Sequence, residues 1–426
     1  MGASASGDGL VRRRRRRWVR GVAVGVAGVM VGAGAVGGAV YVKLDGNITP
    51  DEAAAAELAR FEKERPTALV KDARNILLIG SDTRQGNGNA RYGRDPGTER
   101  SDTTILLHLS AGRRTATAVS LPRDLMVDVP GCLRRDGTRT EPMFAMFNYA
   151  FQVGGSACTI RTVERLTNIR VDHHVVVDFR GFKEMVDAVD GVRICLREPI
   201  RDKDAKLRLP AGRVSLNGEQ ALGYVRARKS LGNGSDTDRM ERQQRFLGAL
   251  VNKVQSNDVL LNPVKLYPVL DAATSSLTTD PELANLRGLY ELVRGLRDIP
   301  TERVQFLTVP RESYVYDANR DQLVEPEAQR LFGRLRTDAP LVVTKEASQG
   351  AATKGRNSES REDADADEGP NDSGAESFDY RGYGSDGGRG GYRDGKGGEK
   401  RPAGPGADVS PAPTFRGNTA AEDGCA

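Results

Sequence analysis

Short apolar runs punctuate the middle of the chain. Residues 75–80, 103–110, 115–121 and 173–179 each have the length and apolar content of a strand. Between and after them, apolar residues recur at helical spacing over 158–167, 182–189 and 238–254. A further strand is predicted at 304–309 and a closing helix at 325–335. Strands and helices mixed in this way bury their apolar faces as a sheet covered by helices. The predicted fold class is α/β, a mixed central sheet sandwiched between helices, in a domain spanning 71–343.

The flanks read differently. Residues 21–42 carry no charge and are nearly all Val, Ala and Gly. As a helix they span roughly 33 Å, enough to cross a hydrocarbon core. Arg12–Arg17 precede the stretch, with Trp18 and Tyr41 at its two ends. The chain is therefore expected to have a basic cytoplasmic segment (1–20), a single transmembrane helix (21–42) and everything after it outside the cell. A cleaved signal peptide, cut near Ala33–Ala35, is the alternative, but the apolar stretch is long for that role. Thr49, Pro50 and Glu52 read as a helix start, predicting a helical spacer within 43–70. Residues 344–426 hold a single Val, Leu or Ile, Val409. Such a segment buries too little to offset its ordering entropy. It is expected to be a disordered tail whose deletion leaves activity intact.

Composition narrows the chemistry. The net charge of the 426-residue chain is +5, but much of the excess lies in the first twenty residues, which hold seven Arg and one acid. A basic face for nucleic acid would need that charge on the folded part, so no nucleic-acid partner is expected. Three His and four scattered Cys argue against a zinc or iron–sulfur centre. Cys132 and Cys158 are a candidate disulfide, with Cys195 in a predicted strand and Cys425 in the tail; spacing leaves the connectivity open.

Polar residues gather at predicted strand ends: Ser81-Asp82, Arg100-Ser101-Asp102 and Arg123-Asp124. Loops held by a rigid sheet are where binding sites form, although ion pairs explain any one of these residues equally well. Asn217 and Gln220 have the form of a capped helix start, with Gly223 as a candidate end. Arg226 and Arg228 follow. In an extended stretch they face the same way and would clamp an anion such as phosphate; in a helix they diverge. Arg239 and Gln243 share a helical face near a helix start, where the dipole favours an anion. The stripe Phe246, Leu247, Leu250, Val251 and Val254 reads as core, with a lipid groove as the alternative. His173 and His174 point to opposite faces of a strand and read as structural. There is no P-loop lysine pattern and no Gly-x-Ser-x-Gly elbow.

The ordered set NILLIGSDTR (75–84), RSDTTILLHLS (100–110), SLPRDL (120–125), FNYAFQVGG (147–155), DFRGFKEMVDAVDGV (178–192), LNGEQALGYVRAR (216–228) and DRMERQQRFL (238–247) resembles the LytR-CpsA-Psr family. The resemblance implies a single-pass membrane enzyme, active outside the cell, that moves a glycopolymer from a polyprenyl-pyrophosphate carrier to peptidoglycan with Mg²⁺ or Mn²⁺. It implies a metal at Asp82 and Asp102. It also implies a pyrophosphate held by Arg100, Arg123, Arg226, Arg228, Arg239 and Gln243, with Arg123, Arg226 and Arg228 catalytic. Met146 departs from the pattern, since many members carry Lys there; Asp190 stands where Gly is common, in a turn. The expected partners are the lipid-linked glycan, the peptidoglycan acceptor and the bilayer. A non-catalytic polyprenyl-phosphate-binding regulator and a pyrophosphate hydrolase are the competing functions.

Overall fold

Alternation along β-strands sorts the apolar residues onto two faces of a nine-stranded sheet. The computed structural model describes residues 32, 34–81, 101–203, 205–227, 236–256, 263–344, 414–422 and 425. These belong to one unit, 1–348 with 412–426; a second unit, 349–411, lies outside the described residues.

In chain order the elements are β1 (Thr49–Pro50), α1 (Glu52–Arg60), β2 (Arg74–Ser81), β3 (Ser101–Leu109), β4 (Ala116–Leu121), β5 (Met126–Val129), β6 (Met143–Met146) and α2 (Asn148–Thr167). Next come β7 (His173–Asp178), α3 (Phe179–Ala188), β8 (Val192–Leu196), β9 (Ile200–Asp202), β10 (Leu207–Leu209), β11 (Gly212–Leu216), α4 (Gly218–Arg226) and α5 (Asp236–Gln255). The last are α6 (Pro263–Ser276), β12 (Leu277–Thr279), α7 (Leu286–Arg297), β13 (Val304–Thr308), β14 (Arg311–Tyr314), β15 (Asp317–Leu323), α8 (Glu327–Arg336), β16 (Val342–Thr344) and β17 (Thr414–Thr419).

The sheet order is β1-β12-β7-β2-β3-β4-β13-β17-β16. Strands β7 and β2 are parallel, as are β4 and β13, while β3 runs antiparallel between β2 and β4. Leu77, Ile79, Leu106 and Val119 face α1, α2 and α8; Ile76, Ile105 and Ala118 face α5 and α7 on the other side. A third cluster joins α3, α4 and α5 to the antiparallel pairs β8–β11 and β9–β10. The α5 stripe divides between clusters. Phe246 is fully buried in the third, with Leu250 and Val254 against it, while Leu247 and Val251 pack on the sheet. Core packing accounts for that stripe.

Three sequence expectations need correction. The segment 43–70 is not a spacer. Leu44 and Ile48 are buried, Asn47 donates to Asp271 at 3.0 Å, and Ala54 and Leu58 of α1 pack in the core beneath α2. Its small apolar residues form a face, and a face of that kind is buried rather than left in water. The helix is capped by Asp51, whose carboxylate accepts from the Ala54 amide at 3.0 Å, and not by Thr49, which pairs with Thr278 at the sheet edge.

The tail is ordered near its end. β17 inserts between β13 and β16, burying Phe415. Ala420 is buried as well, and Cys425 is joined to Cys195, the Cα atoms 5.5 Å apart. Average composition misses this because one aromatic ring and a strand hydrogen-bonded on both sides suffice locally. Finally, α2 begins at Asn148 rather than Cys158, because the chain turns at Gly154 and Gly155 (φ 59°) and re-enters the helix. A side chain on Gly154 would press on Cys132 and Cys158, which form a disulfide with Cα atoms 5.6 Å apart.

The predicted span at 21–42 falls largely on residues outside the described ones; 34–47 are helical. Among the described residues no helix is long and apolar enough to cross a membrane.

Ionic contacts fasten the N-terminal segment, those of Arg65 and Asp51 among them. Arg65 reaches Glu164 with Nε and one terminal nitrogen (2.8–3.1 Å) and also donates to the Val171 carbonyl at 2.7 Å. Glu164 is buried. Removing one partner of a buried pair strands the other charge. Glu164→Ala is therefore expected to cost about 3 kcal/mol or more, seen as a lowered urea midpoint. At Asp51, burial raises the carboxyl pKa, but bonds from His174, Ser156 and the Ala54 amide outweigh it and hold the pKa below the ordinary 3.8. A depressed carboxyl contributes stability above its unfolded pKa and loses it as pH falls through the folded value. The stability gap between wild type and Asp51→Asn should be full above pH 3.8 and shrink below it, which unfolding curves measured across that range would read out.

Candidate active site at one edge of the sheet

Strand direction gathers the polar motifs. The carboxyl ends of β2, β4, β7 and β13 and the amino end of β3 share one edge. Ser81 sits beside both Asp178 and Ser101 in the ladder. Residues from distant parts of the sequence meet there because parallel neighbours end together.

Asp102 opens β3 and Arg123 follows β4. One terminal nitrogen of the Arg123 guanidinium donates to Asp102 at 3.0 Å, and Nε donates to Asp124 at 3.2 Å. The two carboxylates fix the plane of the guanidinium. Arg123, Asp102 and Asp124 are 21%, 29% and 20% exposed, so a solute can reach them. The loop is held from below: the Asn148 amide donates to the Arg123 carbonyl at 3.0 Å and the Phe147 amide to that of Leu125 at 2.8 Å. Phe147 itself is buried. The FNYAF motif thus shapes the arginine loop from α2, a role that sequence spacing did not reveal.

Arg226 arrives by another route. The Asn217–Gln220 capping box starts α4 as predicted, but Gly223 lies inside the helix, which runs on to Arg226. The stretch is helical to its end, so the extended alternative does not hold up to Arg226. The guanidinium of Arg226 lies 4.5 Å from the ring centroid of Phe179, the residue that follows β7. That contact brings Arg226 to the same edge.

From α5, Arg239 is buried, and Gln243 donates to the Val225 carbonyl at 3.3 Å, one residue before Arg226. Two neighbours escaped the sequence reading. Arg242 donates to the Ala227 carbonyl at the end of α4, and burial pushes its guanidinium below the ordinary pKa. Buried Gln244 donates to Ser120 and Thr308, each at 3.1 Å, clamping α5 to the ends of β4 and β13. Their positions within a predicted helix gave no clue to these partners. Asp82, Arg100 and Arg228 lie outside the described residues.

The histidines are structural. His174 bonds Asp51 (3.2 Å), His173 bonds Asp280 (3.2 Å), and His108 lies between Asn75 and Asp338. His173, Asp280 and Glu282 approach one another at the opposite edge of the sheet, where Asp280 also accepts from the amides of His174, Glu282 and Leu283. Met146 takes a contact from Arg320 of β15. Asp190 and Gly191 form the turn between α3 and β8 with φ of 60° and 81°.

A mixed sheet with Arg123, Asp102 and Asp124 reachable at one end, and Arg226 brought beside Phe179 at that end, defines an α/β domain with a charged site. The chain belongs to the LytR_cpsA_psr family, whose model matches residues 41–337. It is 36% identical over 293 residues to the probable cell wall biosynthesis protein LcpB of Corynebacterium glutamicum, covering 66% of each chain. With the polyisoprenyl-teichoic acid–peptidoglycan teichoic acid transferase TagT of Bacillus subtilis it shares 29% over 328 residues, 74% of this chain and 94% of TagT. It matches half the length of the cell wall biosynthesis protein LcpA of Corynebacterium glutamicum, at 34% identity over 56% of this chain. Two solved structures share the fold. The LytR-Csp2A-Psr enzyme from Actinomyces oris has a TM-score of 0.50 at 21% identity, over 64% of this chain and 93% of that one. Protein gbs0355 from Streptococcus agalactiae has a TM-score of 0.52 at 22% identity, over 63% and 89%.

Proposed function

We propose that this chain is a phosphotransferase that attaches a glycopolymer from a polyprenyl-pyrophosphate carrier to peptidoglycan on the outer face of the cell membrane. The observation that carries the reading is Arg123, held between Asp102 and Asp124 at the edge to which Arg226 is also brought. The names of TagT and LcpB, which are a teichoic acid transferase and a cell wall biosynthesis protein, support it.

In the reaction, an acceptor hydroxyl oxygen bonds to the phosphorus that carries the glycan. The bond from that phosphorus to the bridging oxygen breaks, polyprenyl phosphate leaves, and the acceptor proton is released. Such transfers need positioning and charge neutralisation more than a covalent partner. Arg123 is oriented in advance, so its donors need no reorganisation as charge develops. Arg226 and Arg239 are assigned to the lipid-side phosphate, with Gln243 fixing the turn that presents Arg226. Arg100 and Arg228 complete the pyrophosphate set.

A Mg²⁺ or Mn²⁺ ion fits the donor chemistry. Asp102 offers a part-exposed carboxylate, and oxygen ligands suit a hard cation. Asp102 with Asp82 would hold it, and when bound it would neutralise charge on the diphosphate. An anchor at 21–42, with the Arg run cytoplasmic, places the domain outside. It is supported by the exposed apolar residues Val36 and Val42 within helical 34–47.

The test is reconstitution of full-length protein with a lipid-linked glycan and a peptidoglycan fragment, with and without Mg²⁺. Metal-dependent ligation is the expected product. Tight lipid binding without turnover would instead make this a regulator, and release of free phosphorylated glycan would make it a hydrolase.

A further inference from the structure

The hairpin β14–β15 turns on Val315 and Tyr316, which are 72% and 85% exposed. Neither residue has a positive φ, so the turn carries them without needing Asn or Gly, and both side chains are left in solvent. The rings at this tip are organised. Tyr314 and Tyr316 meet edge to face with centroids 5.4 Å apart, and Phe144 of β6, itself 54% exposed, lies 6.0 Å from Tyr314.

The hairpin is tied to the arginine loop. The Asp321 amide donates to the Asp124 carbonyl at 3.1 Å, and Leu125 bridges to Asp321. From Asp321 to the start of β15 is at most ~13 Å of strand at its usual rise. An aromatic surface of three rings therefore stands at the tip of a hairpin whose base is bonded to the arginine loop. It lies on the α2 side, since β5 and Leu323 pack in the cluster beneath α2. Arg226 and Arg239 come from α4 and α5, and α5 packs on the other face of the sheet.

We infer that Phe144, Tyr314 and Tyr316 form a docking platform for the glycan strand of the peptidoglycan acceptor. The inference rests on the transferase reading above. The attacking and leaving oxygens of a phosphoryl transfer lie roughly in line. With the lipid-side phosphate at α4 and α5, the acceptor approaches from the opposite side, where the platform stands. An aromatic face is apolar and electron-rich, so it takes the C–H face of a pyranose ring while the sugar hydroxyls stay hydrated. Glu312 and Gln322, bonded to each other at 2.8 Å across the hairpin, and Asp317 at its tip supply polar partners. Asp317 is paired with Arg320 at 3.3 Å, which leaves the Glu312 carboxylate to oppose an anionic bilayer.

The experiment is co-sedimentation of the full chain, in detergent, with purified insoluble peptidoglycan. It needs no donor and no turnover, so its outcome is independent of the transfer assay. The double substitution Tyr314→Ala with Tyr316→Ala is expected to weaken binding roughly tenfold. The corresponding Phe substitutions should retain it, because the ring faces make the contact. In the transfer assay the Ala variant should raise KM for a soluble peptidoglycan fragment about tenfold and leave the donor KM unchanged. Equal sedimentation of wild type and Ala variant overturns the inference, as does no sedimentation of wild type. A raised donor KM, or loss of binding to phosphatidylglycerol vesicles in place of peptidoglycan, likewise overturns it.

Discussion

Arg123→Ala should lower the turnover of glycopolymer transfer roughly 10²–10³-fold, the usual loss when one pre-aligned donor to a developing negative charge is removed. Thermal unfolding should change little, because the pairs with Asp102 and Asp124 are part-exposed and contribute modestly to stability. Arg123→Lys should not restore activity. An ammonium lacks the planar fork that two carboxylates orient at 3.0 and 3.2 Å. The measurement is kcat with a lipid-linked donor at saturating acceptor. A variant that transfers at the wild-type rate would reduce this cluster to a surface ion pair.

Truncation after residue 411 should lower the melting temperature by roughly 6–20 °C. Losing a buried aromatic ring such as Phe415 alone costs about 3–5 kcal/mol, and each kcal/mol moves the midpoint by about 2–4 °C in a domain of this size. The truncation also strips the partner from one side of β13 and releases β16 and the bond to Cys195. Replacing 345–413 with a Gly/Ser linker of about fifteen residues should leave stability near wild type. Parallel strands such as β16 and β17 need a crossover only about that long. Gly417→Ala offers a point test. A Cβ there would collide with the Phe306 carbonyl and Val343, so the close approach of strands depends on that glycine. Differential scanning calorimetry of the three variants would show whether β17 is integral to the sheet. A truncated chain as stable as wild type would mean that it is not.

Much of the architecture was written in local pattern. The runs at 75–80 and 115–121 became β2 and β4 within a residue or so, because a strand buried on both faces needs continuous apolar residues. The helix predicted at 238–254 became α5 for a similar reason. The Asn217–Gln220 cap was also legible, since capping acts over a few residues. The helix α1 was visible in the sequence, but its burial was not. Whether an Ala-rich face is solvated or packed depends on what stands opposite, and here that is α2.

The site divides along the same line. The sequence alone offered candidates for a diphosphate site, carboxylates and guanidiniums at predicted strand and helix ends, in an order that resembles one family. It also set β2, β3, β4, β7 and β13, the helices α3, α4, α5 and α8, and the mixed α/β class, because those follow from the local pattern of apolar positions and caps. Only the tertiary structure decided that Asp102 and Asp124 grip Arg123, that Phe179 draws in Arg226, and that Gln244 locks α5 to two strand ends. It alone decided that β17 returns from far along the chain to fill the sheet. Each of these depends on strand direction and on contacts between distant segments. Such contacts are selected by packing of the whole domain, and no window of neighbouring residues encodes them.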